Sequence, residues 1–326
     1  MPVITVTNLS KRFNLEAGFF ARFGRFVYAV NDVSFSIGKN ESYGLVGESG
    51  CGKTTTARLL VRMYESDGGD IFFNDSIDVR RLKSGELKQY REKVKYVFQD
   101  PARSLNPRMT VYEALISGYR FSSRWPGQKR ARIEAAAILE EAGLSAADLE
   151  RRPAEFSGGQ RQRISIARGL LMEPELLICD EVVSALDVSI QGQILNLLLD
   201  IKSRRSLSFL FIAHDLKVAS YFCDRIGVMY RGELMEEAPA EDLYRNAAHP
   251  YTKLLFSAAS RIPFDGASAE AAAASPAPLG EVKTATARIV GCAFAERCPL
   301  VEERCLRERP ALRETGAGGL ARCHRV

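Results

Sequence analysis

Short apolar runs alternate with helical patterns along most of the chain. The runs ESYGLVG, KVKYVFQ, LLICDE and LSFLFIAHD are mainly apolar and end in polar or turn residues, as strands of a covered sheet do. The segments IEAAAILEEAGL and IQGQILNLLLDIKSRR repeat apolar residues with the period of an α-helix. This alternation predicts an α/β domain with a mainly parallel sheet, in which ligands bind beyond the carboxyl ends of the strands.

Composition divides the 326 residues into three regions. The alternating pattern predicts one large domain at residues 1–262, without an internal repeat. Residues 263–280, PFDGASAEAAAASPAPLG, are rich in Ala, Ser and Pro and have no apolar period beyond alanine, which predicts a flexible linker. Residues 281–326 form a small cysteine-rich extension.

Charge and hydropathy argue against several classes of protein. The net charge of +5 is only a weak indication of a nucleic-acid or anionic membrane partner, and a surface slightly rich in arginine explains it better. No apolar run reaches the roughly 18–20 residues that cross a bilayer, and the start, MPVITVTNLSKRF, lacks the apolar core of a signal peptide. We therefore expect a cytosolic protein, in which permanent disulfides are rare.

The segment GLVGESGCGKTTTARLL has the phosphate-loop spacing Gly47-x4-Gly52-Lys53-Thr54, between a predicted strand and a predicted helix. Backbone N–H groups of such a loop cradle phosphate oxygens at a helix N-terminus. Lys53 would reach the outer phosphates, and the Thr54 hydroxyl would ligate Mg²⁺. This context disfavours a chance glycine-rich turn and predicts a nucleoside triphosphate site. The residues expected to contact the nucleotide are Gly47, Glu48, Ser49, Gly50, Cys51, Gly52, Lys53, Thr54 and Thr55.

Two adjacent carboxylates end the apolar run ELLICDE. Seen alone, such a pair is more often a helix cap than a catalytic site. With a phosphate loop upstream, Asp180 is placed to hold Mg²⁺ and Glu181 to act as general base toward the attacking water.

The segment EFSGGQRQRISIARGLLMEPELLICDE resembles the signature region of ATP-binding cassette (ABC) proteins. Ser157-Gly158-Gly159-Gln160 matches the signature motif, and Ser-Gly-Gly at the start of a helix is a second anion site rather than a simple helix cap. The resemblance implies a phosphate-loop NTPase (RecA-like) core with an antiparallel β subdomain and a helical signature subdomain. It also implies that the second site binds ATP held by a partner subunit, so that two cassettes sandwich two nucleotides.

Three further residues resemble family motifs. Gln99 in YVFQDP is similar to the Q-loop glutamine, which contacts Mg²⁺ or water and senses the transmembrane partner. Asp187, at the end of SALD at 184–187, is similar to the D-loop aspartate that reaches across the dimer. His214 in FIAHDL is similar to the switch histidine that steadies the γ-phosphate, although a lone histidine at a strand end is usually structural.

An aromatic side chain that stacks on adenine is also implied. Phe13 in LSKRF is the better candidate, and Tyr28 is the alternative. Stacking needs only a π face, so phenylalanine can serve.

The chain departs from the family pattern at two places. Val182 and Val183 follow the acidic pair where the family usually has Pro-Thr, so the geometry of the following loop is expected to differ slightly. Phe156 replaces the leucine that begins the signature and keeps an apolar side chain there. Because both acidic residues are retained, hydrolysis is still expected.

A narrower resemblance is to the ABC importers of dipeptides, oligopeptides or nickel. It rests on FQDPARSLNPRMTV, on YRGELMEEAPAEDLYRNAAHPYTKLLFSAAS and on the cysteine-rich tail. It implies a peripheral subunit at the cytoplasmic face of the inner membrane. Its partners would be a second ABC ATPase subunit, two transmembrane permease subunits and, indirectly, an extracytoplasmic solute-binding protein, with no nucleic acid. The alternative is a non-transport ABC ATPase with a soluble or nucleic-acid partner.

The segment NLEAGFFARFGRFVYAV is rich in phenylalanine. It is interpreted as an insertion loop that packs on its own domain, or else one that touches a membrane or a partner. Its phenylalanines are Phe19, Phe20, Phe23 and Phe26.

Cysteines concentrate in the tail, with gaps of five, six and seventeen residues that fit zinc modules and ferredoxin runs poorly. Spacing alone leaves a metal site and unmetallated thiols open. The importer resemblance implies a four-iron–four-sulfur cluster, for which four thiolates are a suitable ligand set. Zinc, with His324 as an additional ligand, and free thiols are the alternatives. The tail cysteines are Cys292, Cys298, Cys305 and Cys323, and the predicted packing cysteines of the large domain are Cys51, Cys179 and Cys223.

Overall fold

The structure, a computed structural model, describes residues 1–15, 26–184, 186–259, 289–316 and 318–326. The predicted linker at 263–280 lies outside these ranges, as do Phe19, Phe20 and Phe23 of the phenylalanine-rich segment.

The described strands belong to two sheets. One sheet is antiparallel and four-stranded in the order β2-β1-β4-β5, and the other is eight-stranded in the order β11-β12-β10-β9-β3-β8-β7-β6. The strands are β1 (Pro2–Asn14), β2 (Phe26–Gly38), β3 (Ser42–Val46), β4 (Gly68–Phe73), β5 (Ile77–Asp78), β6 (Val94–Val97), β7 (Leu176–Asp180), β8 (Ser208–Ala213), β9 (Arg225–Tyr230), β10 (Glu233–Pro239), β11 (Arg313–Glu314) and β12 (Leu320–Ala321).

Helices cover the larger sheet and form a separate helical layer. In that layer α4, α5 and α6 pack against one another through residues such as Leu115, Ile138 and Ile164, which are fully buried or nearly so. The helices are α1 (Lys53–Leu60), α2 (Ser84–Lys93), α3 (Pro101–Ser104), α4 (Val111–Tyr119), α5 (Gln128–Glu141), α6 (Gly158–Leu170), α7 (Val188–Arg204), α8 (Leu216–Phe222), α9 (Ala240–Asn246), α10 (Pro250–Ala259) and α11 (Glu303–Arg307).

The parallel part of the larger sheet consists of β6, β7, β8, β3 and β9. Every residue of β7 and of β8 is buried, which explains why their sequences are continuous apolar runs instead of alternating ones. The four predicted strands correspond to β3, β6, β7 and β8, and the two predicted helices to α5 and α7. The predicted α/β fold with an antiparallel β subdomain and a helical subdomain is therefore confirmed.

The described part of the tail packs onto the large domain and extends its sheet. Glu236 of β10 pairs with Ala321 of β12 in antiparallel register, and β11 pairs with β12 in turn. Phe294 is fully buried, with its ring centroid 5.4 Å from that of Tyr230 and 5.3 Å from that of Tyr251. The tail therefore shares one hydrophobic core with β9 and α10.

In the part of the chain that the structure describes, no helix combines the length and the apolar character needed to cross a bilayer.

Candidate active site

The loop between β3 and α1 brings backbone close to two neighbouring strands. Gly47 and Gly52 have φ angles of 155° and 112°, in the region that favours glycine. A Cβ at Gly47 would lie 2.2 Å from the carbonyl oxygen of Met229, and one at Gly52 would lie 2.2 Å from that of Ala29. Both close approaches explain why the pattern needs glycine at these positions.

Lys53 begins α1 and folds back over this loop. Its side chain is 4% exposed, and its Nζ donates to the carbonyl oxygens of Gly47, at 2.7 Å, and Glu48, at 3.1 Å. No side chain caps the N-terminus of α1, and its first turn carries no acidic residue. A buried cation beside an uncapped helix N-terminus is suited to bind an anion.

Asp180, the last residue of β7, is 2% exposed and accepts two hydrogen bonds. The Thr54 hydroxyl donates to Oδ1 at 2.9 Å, and the Tyr96 hydroxyl donates to Oδ2 at 2.6 Å. Two of the three side chains predicted to contact Mg²⁺, Thr54 and Asp180, are thus in direct contact. Sequence reasoning missed Tyr96, because an aromatic residue inside a strand is usually read as packing. Burial raises the pKa of Tyr96, and the adjacent Asp180 raises it further, so the phenol stays a donor.

Glu181 lies one residue beyond β7, opposite the loop that follows β6. Gln99 Nε2 in that loop donates to Glu181 Oε2 at 2.6 Å. Glu181 also lines a cavity of about 40 Å³ together with His214, which follows β8. Gln99 and Asp180 line a second cavity, of about 260 Å³. The phosphate loop, Gln99, both carboxylates and the histidine therefore lie at one edge of the sheet, because they follow or end the parallel strands β3, β6, β7 and β8.

Val182 and Val183, which depart from the family pattern, are 2% and 5% exposed. They belong to the same core cluster as Leu177 and Ile194. Apolar packing therefore fixes the backbone after Glu181, where the family usually has Pro-Thr.

The signature motif lies at the start of α6. Ser157 is the N-cap: its hydroxyl accepts from the Gln160 N–H at 3.3 Å, and Gln160 Oε1 accepts from the Ser157 N–H at 2.9 Å. Gly159 is buried against α7, and a Cβ there would lie 2.6 Å from Ile190 Cγ2. The Ser157 side of the motif is exposed.

Asp187 precedes α7, is exposed, and makes no side-chain capping bond. Ala185, in the middle of SALD, lies outside the described residues. Within the described ranges, no hydrogen bond or ion pair joins Ser157 or Asp187 to residues 47–55 of the same chain.

The two aromatic candidates lie on neighbouring strands. Phe13 of β1 is half-buried, with its ring 5.3 Å from that of Tyr64 and the Lys11 ammonium 5.4 Å from its centroid. Tyr28 of β2 pairs with Arg12, the neighbour of Phe13. Both stay candidates for the adenine contact.

The four tail cysteines are free thiols that line one small cavity, of about 20 Å³, which Phe294 and His324 also line. Burial, together with the neighbouring cysteines, raises the pKa of Cys292 to about 11. Among the described residues, no three His, Cys, Asp or Glu side chains are placed to hold a metal ion. The three cysteines of the large domain are buried, as expected of packing residues.

Two family models match the chain. The ABC transporter model matches residues 30–184, and the model of the oligopeptide/dipeptide transporter C-terminal region matches residues 235–305. The second match begins in β10 and ends at Cys305, so it includes α10 and much of the described tail.

The chain is similar to curated proteins over most of its length. A peptide import ATP-binding protein of Brucella ovis is 42% identical over 325 residues, which cover 99% of this chain and 98% of that protein. The oligopeptide transport ATP-binding protein OppF of Bacillus subtilis is 49% identical over 232 residues, 71% of this chain and 76% of that protein.

Among solved structures, the fold is similar to that of MJ0796, a bacterial ABC transporter cassette solved as a dimer. The TM-score is 0.64 at 28% identity, over 73% of this chain and 98% of that one. The resemblance inferred from the motifs is confirmed by these matches. The chain belongs to the ABC transporter family, as an ATP-binding cassette ATPase that carries the oligopeptide/dipeptide transporter C-terminal region.

Proposed function

We propose that this chain is the ATP-hydrolysing subunit of an ABC importer that takes up dipeptides or oligopeptides. The observation that carries the ATPase assignment is the contact network of Thr54, Asp180, Gln99 and Glu181 beside the phosphate loop. The substrate class follows from relatives named for peptide import and oligopeptide transport. The match to the oligopeptide/dipeptide transporter C-terminal region supports the same class.

In this proposal residues 47–55 bind the phosphates, and Phe13 stacks on adenine. Thr54, Asp180 and Gln99 would hold Mg²⁺, which would neutralise phosphate charge during hydrolysis. Glu181 accepts a proton from the attacking water. The hydrogen bond from Gln99 holds the Glu181 carboxylate in place. His214, which lines the small cavity together with Glu181, steadies the γ-phosphate.

We also propose that two cassettes close around ATP. Ser157, Gln160 and Asp187 are exposed and make no hydrogen bond or ion pair with the described part of their own phosphate loop, which leaves them free to contact ATP on a partner cassette. Hydrolysis removes the γ-phosphate contacts and reopens the pair. Two permease subunits docked near Gln99 convert that motion into transport, with a solute-binding protein delivering the peptide. The chain then lies at the cytoplasmic face of the inner membrane.

Co-purification in detergent tests the importer assignment. The tagged chain should bring down two polytopic membrane proteins and a second ABC ATPase subunit. Reconstituted vesicles should take up a labelled dipeptide or oligopeptide when ATP is supplied on the cassette side. The Lys53→Ala variant should assemble equally well and transport nothing. Recovery of ribosomes or DNA in place of membrane proteins would support the non-transport ABC ATPase instead.

We propose further that Cys292, Cys298, Cys305 and Cys323 hold a four-iron–four-sulfur cluster with a structural role. Four free thiols around one cavity support this assignment. Each iron of such a cluster takes one thiolate, so the ligands need not converge on a single ion. Because the cavity is only about 20 Å³, binding would spread the cysteine segments apart.

Anaerobic purification tests the cluster. The protein should be brown, absorb near 400 nm and contain about four irons per chain, as expected for a cluster with four cysteine ligands. The Cys305→Ser variant should lose that absorbance, whereas Cys223→Ser, in the large domain, should keep it. Colourless wild-type protein with bound zinc would favour the zinc alternative, and metal-free protein would favour free thiols.

Limited proteolysis tests the proposed division into a cassette at 1–262, a flexible linker at 263–280 and a cysteine-rich extension at 281–326. Cleavage should concentrate in the linker. Because the tail pairs with β10 and buries Phe294, the two fragments should stay associated without denaturant.

A further inference from the structure

The cysteine-rich tail contacts the phosphate loop directly. Two guanidinium nitrogens of Arg297 donate to the two carboxylate oxygens of Glu48, at 2.8 and 3.0 Å. Glu48 directly follows Gly47, the first glycine of the loop. The Glu48 side chain is 11% exposed and that of Arg297 is 28% exposed, so water screens this pair only partly. A bidentate arginine–carboxylate pair is among the stronger and more directional contacts in proteins.

The Glu48 backbone is fixed from two further directions. Its N–H donates to the Tyr251 hydroxyl of α10 at 3.1 Å, and its carbonyl oxygen accepts from Lys53 Nζ at 3.1 Å. The same residue therefore connects the tail, α10 and the lysine expected to reach the phosphates.

We propose that Arg297 is a positioning residue for nucleotide binding: through Glu48 it holds the phosphate loop in its binding conformation and neutralises a carboxylate next to the phosphate site. Arg297 acts through Glu48 and need not touch the nucleotide. The inference rests on the proposed role of residues 47–55 as the phosphate site.

Arg297 is itself held by the tail fold. It ends a short 3-10 turn, Ala295–Arg297, that lies between Cys292 and Cys298. The turn follows the buried Phe294, and the Arg297 guanidinium lies 5.7 Å from the centroid of the Tyr230 ring. The position of Arg297 therefore depends on how the cysteine segment is folded. By linkage, nucleotide binding and tail docking must affect each other equally.

Fluorescent-ATP titration of the full chain, with Mg²⁺ present, tests this inference. Arg297→Gln should weaken binding about tenfold, in line with the loss of one charged, partly buried hydrogen-bonded pair. The matched control is Arg309→Gln. Arg309 also ties the tail to the large domain, at Asp32 and Glu233, but makes no hydrogen bond or ion pair with residues 47–55. That variant should bind ATP as the wild type does.

A double-mutant cycle identifies the route of the effect. If Arg297 acts through Glu48, Arg297→Gln should cause no further loss in a Glu48→Gln background, and Arg297→Lys should restore part of the affinity. Equal losses in Arg297→Gln and Arg309→Gln would overturn the inference, since general loosening of the tail would then explain both.

The Lys53→Ala variant distinguishes failure of the Arg297 inference from failure of the phosphate-site assignment. Wild-type affinity in Arg297→Gln together with lost affinity in Lys53→Ala would sink the inference and leave the phosphate site standing. Unchanged affinity in Lys53→Ala would remove the phosphate-site assignment itself.

Discussion

Glu181 has a backbone conformation that few residues other than glycine adopt. Its φ angle is 49°, in the left-handed region. Its N–H donates to the carbonyl oxygen of Ile212 at 3.1 Å, and its own carbonyl oxygen accepts from the Ser184 hydroxyl at 2.9 Å. Such conformations concentrate at functional sites, where the surrounding structure enforces them. The direction of the proposed base is thus set by its backbone as well as by Gln99.

Replacing Glu181 with glutamine tests the base role. Glu181→Gln keeps the shape of the side chain and removes the proton acceptor, so ATP should bind with unchanged affinity while turnover falls at least a hundredfold. Glu175→Gln is the matched control, because Glu175 precedes β7 at the opposite end and pairs with Lys93. Phosphate release and nucleotide titration give the two readouts, and ATPase activity retained by Glu181→Gln would refute the role.

His249 makes the folded chain sensitive to acid. It is 1% exposed, and its Nδ1 accepts from the Tyr251 N–H at 3.0 Å. Burial lowers the pKa of His249 from its ordinary 6.5 to about 4. Between these values the unfolded chain binds a proton that the folded chain excludes. The free energy of unfolding therefore falls as pH drops from about 6.5 toward 4.

Urea unfolding at pH 7 and pH 4.5 measures this contribution. The control variant is His249→Asn, because asparagine keeps an acceptor for the Tyr251 N–H and does not titrate. Between pH 7 and pH 4.5 the free energy of unfolding of the wild type should fall by about 2–3 kcal/mol more than that of His249→Asn. The Glu236 carboxylate accepts from the backbone N–H of His249, and burial raises the pKa of Glu236. Glu236 therefore contributes to the pH dependence of stability in both proteins. Equal losses in the two proteins would contradict the assignment to His249.

At the scale of elements, the contact between α6 and α7 fixes where the signature motif lies. Gly159 of α6 faces Ile190 of α7 with no room for a side chain, whereas a Cβ at Gly158 would lie 3.6 Å from Leu186, an ordinary contact. The capping pair of Ser157 and Gln160 starts α6 immediately before this contact.

Two alanine substitutions one residue apart test that contact. Gly159→Ala must displace the Ile190 side chain or α7 itself, so the free energy of unfolding should fall by about 1–3 kcal/mol. Gly158→Ala needs no shift and should leave stability unchanged or slightly raised, since alanine favours helix. Urea titration followed by circular dichroism compares them, and equal effects would contradict the packing argument.

At the scale of the whole molecule, the sequence predicted what local pattern determines. The apolar strands, the phosphate loop and the acidic strand end are each a contiguous stretch of sequence, so each could be recognised locally. Their proximity could be predicted because the carboxyl ends of parallel strands meet at one edge of the sheet. The pairing of β12 with β10 could not be predicted, because a two-residue strand carries no periodic signal. The contact of Arg297 with Glu48 joins residues 249 positions apart, so no local pattern indicates it.

The contribution of the core shared by the tail and the cassette to the free energy of unfolding should be measurable. Phe294 is fully buried between Tyr230, Tyr251 and His249, so Phe294→Ala should lower the free energy of unfolding by about 3–5 kcal/mol. Leu306, also in the tail, is 59% exposed, and Leu306→Ala should change stability by less than about 0.5 kcal/mol. An independently folding tail would instead leave the main unfolding transition of Phe294→Ala unchanged.

The pairing of β12 with β10 also bears on solubility. Without the tail, the edge of β10 opposite β9 would have no neighbouring strand at Glu236 and Glu237, and the backbone groups that point that way would be unpaired. Such unpaired edges recruit strands from other molecules and start aggregation. The outermost strand is instead β11, which has only two residues, Arg313 and Glu314, both charged and exposed. The C-terminal segment therefore closes the sheet against unwanted self-association and leaves other faces of the cassette available for its partners.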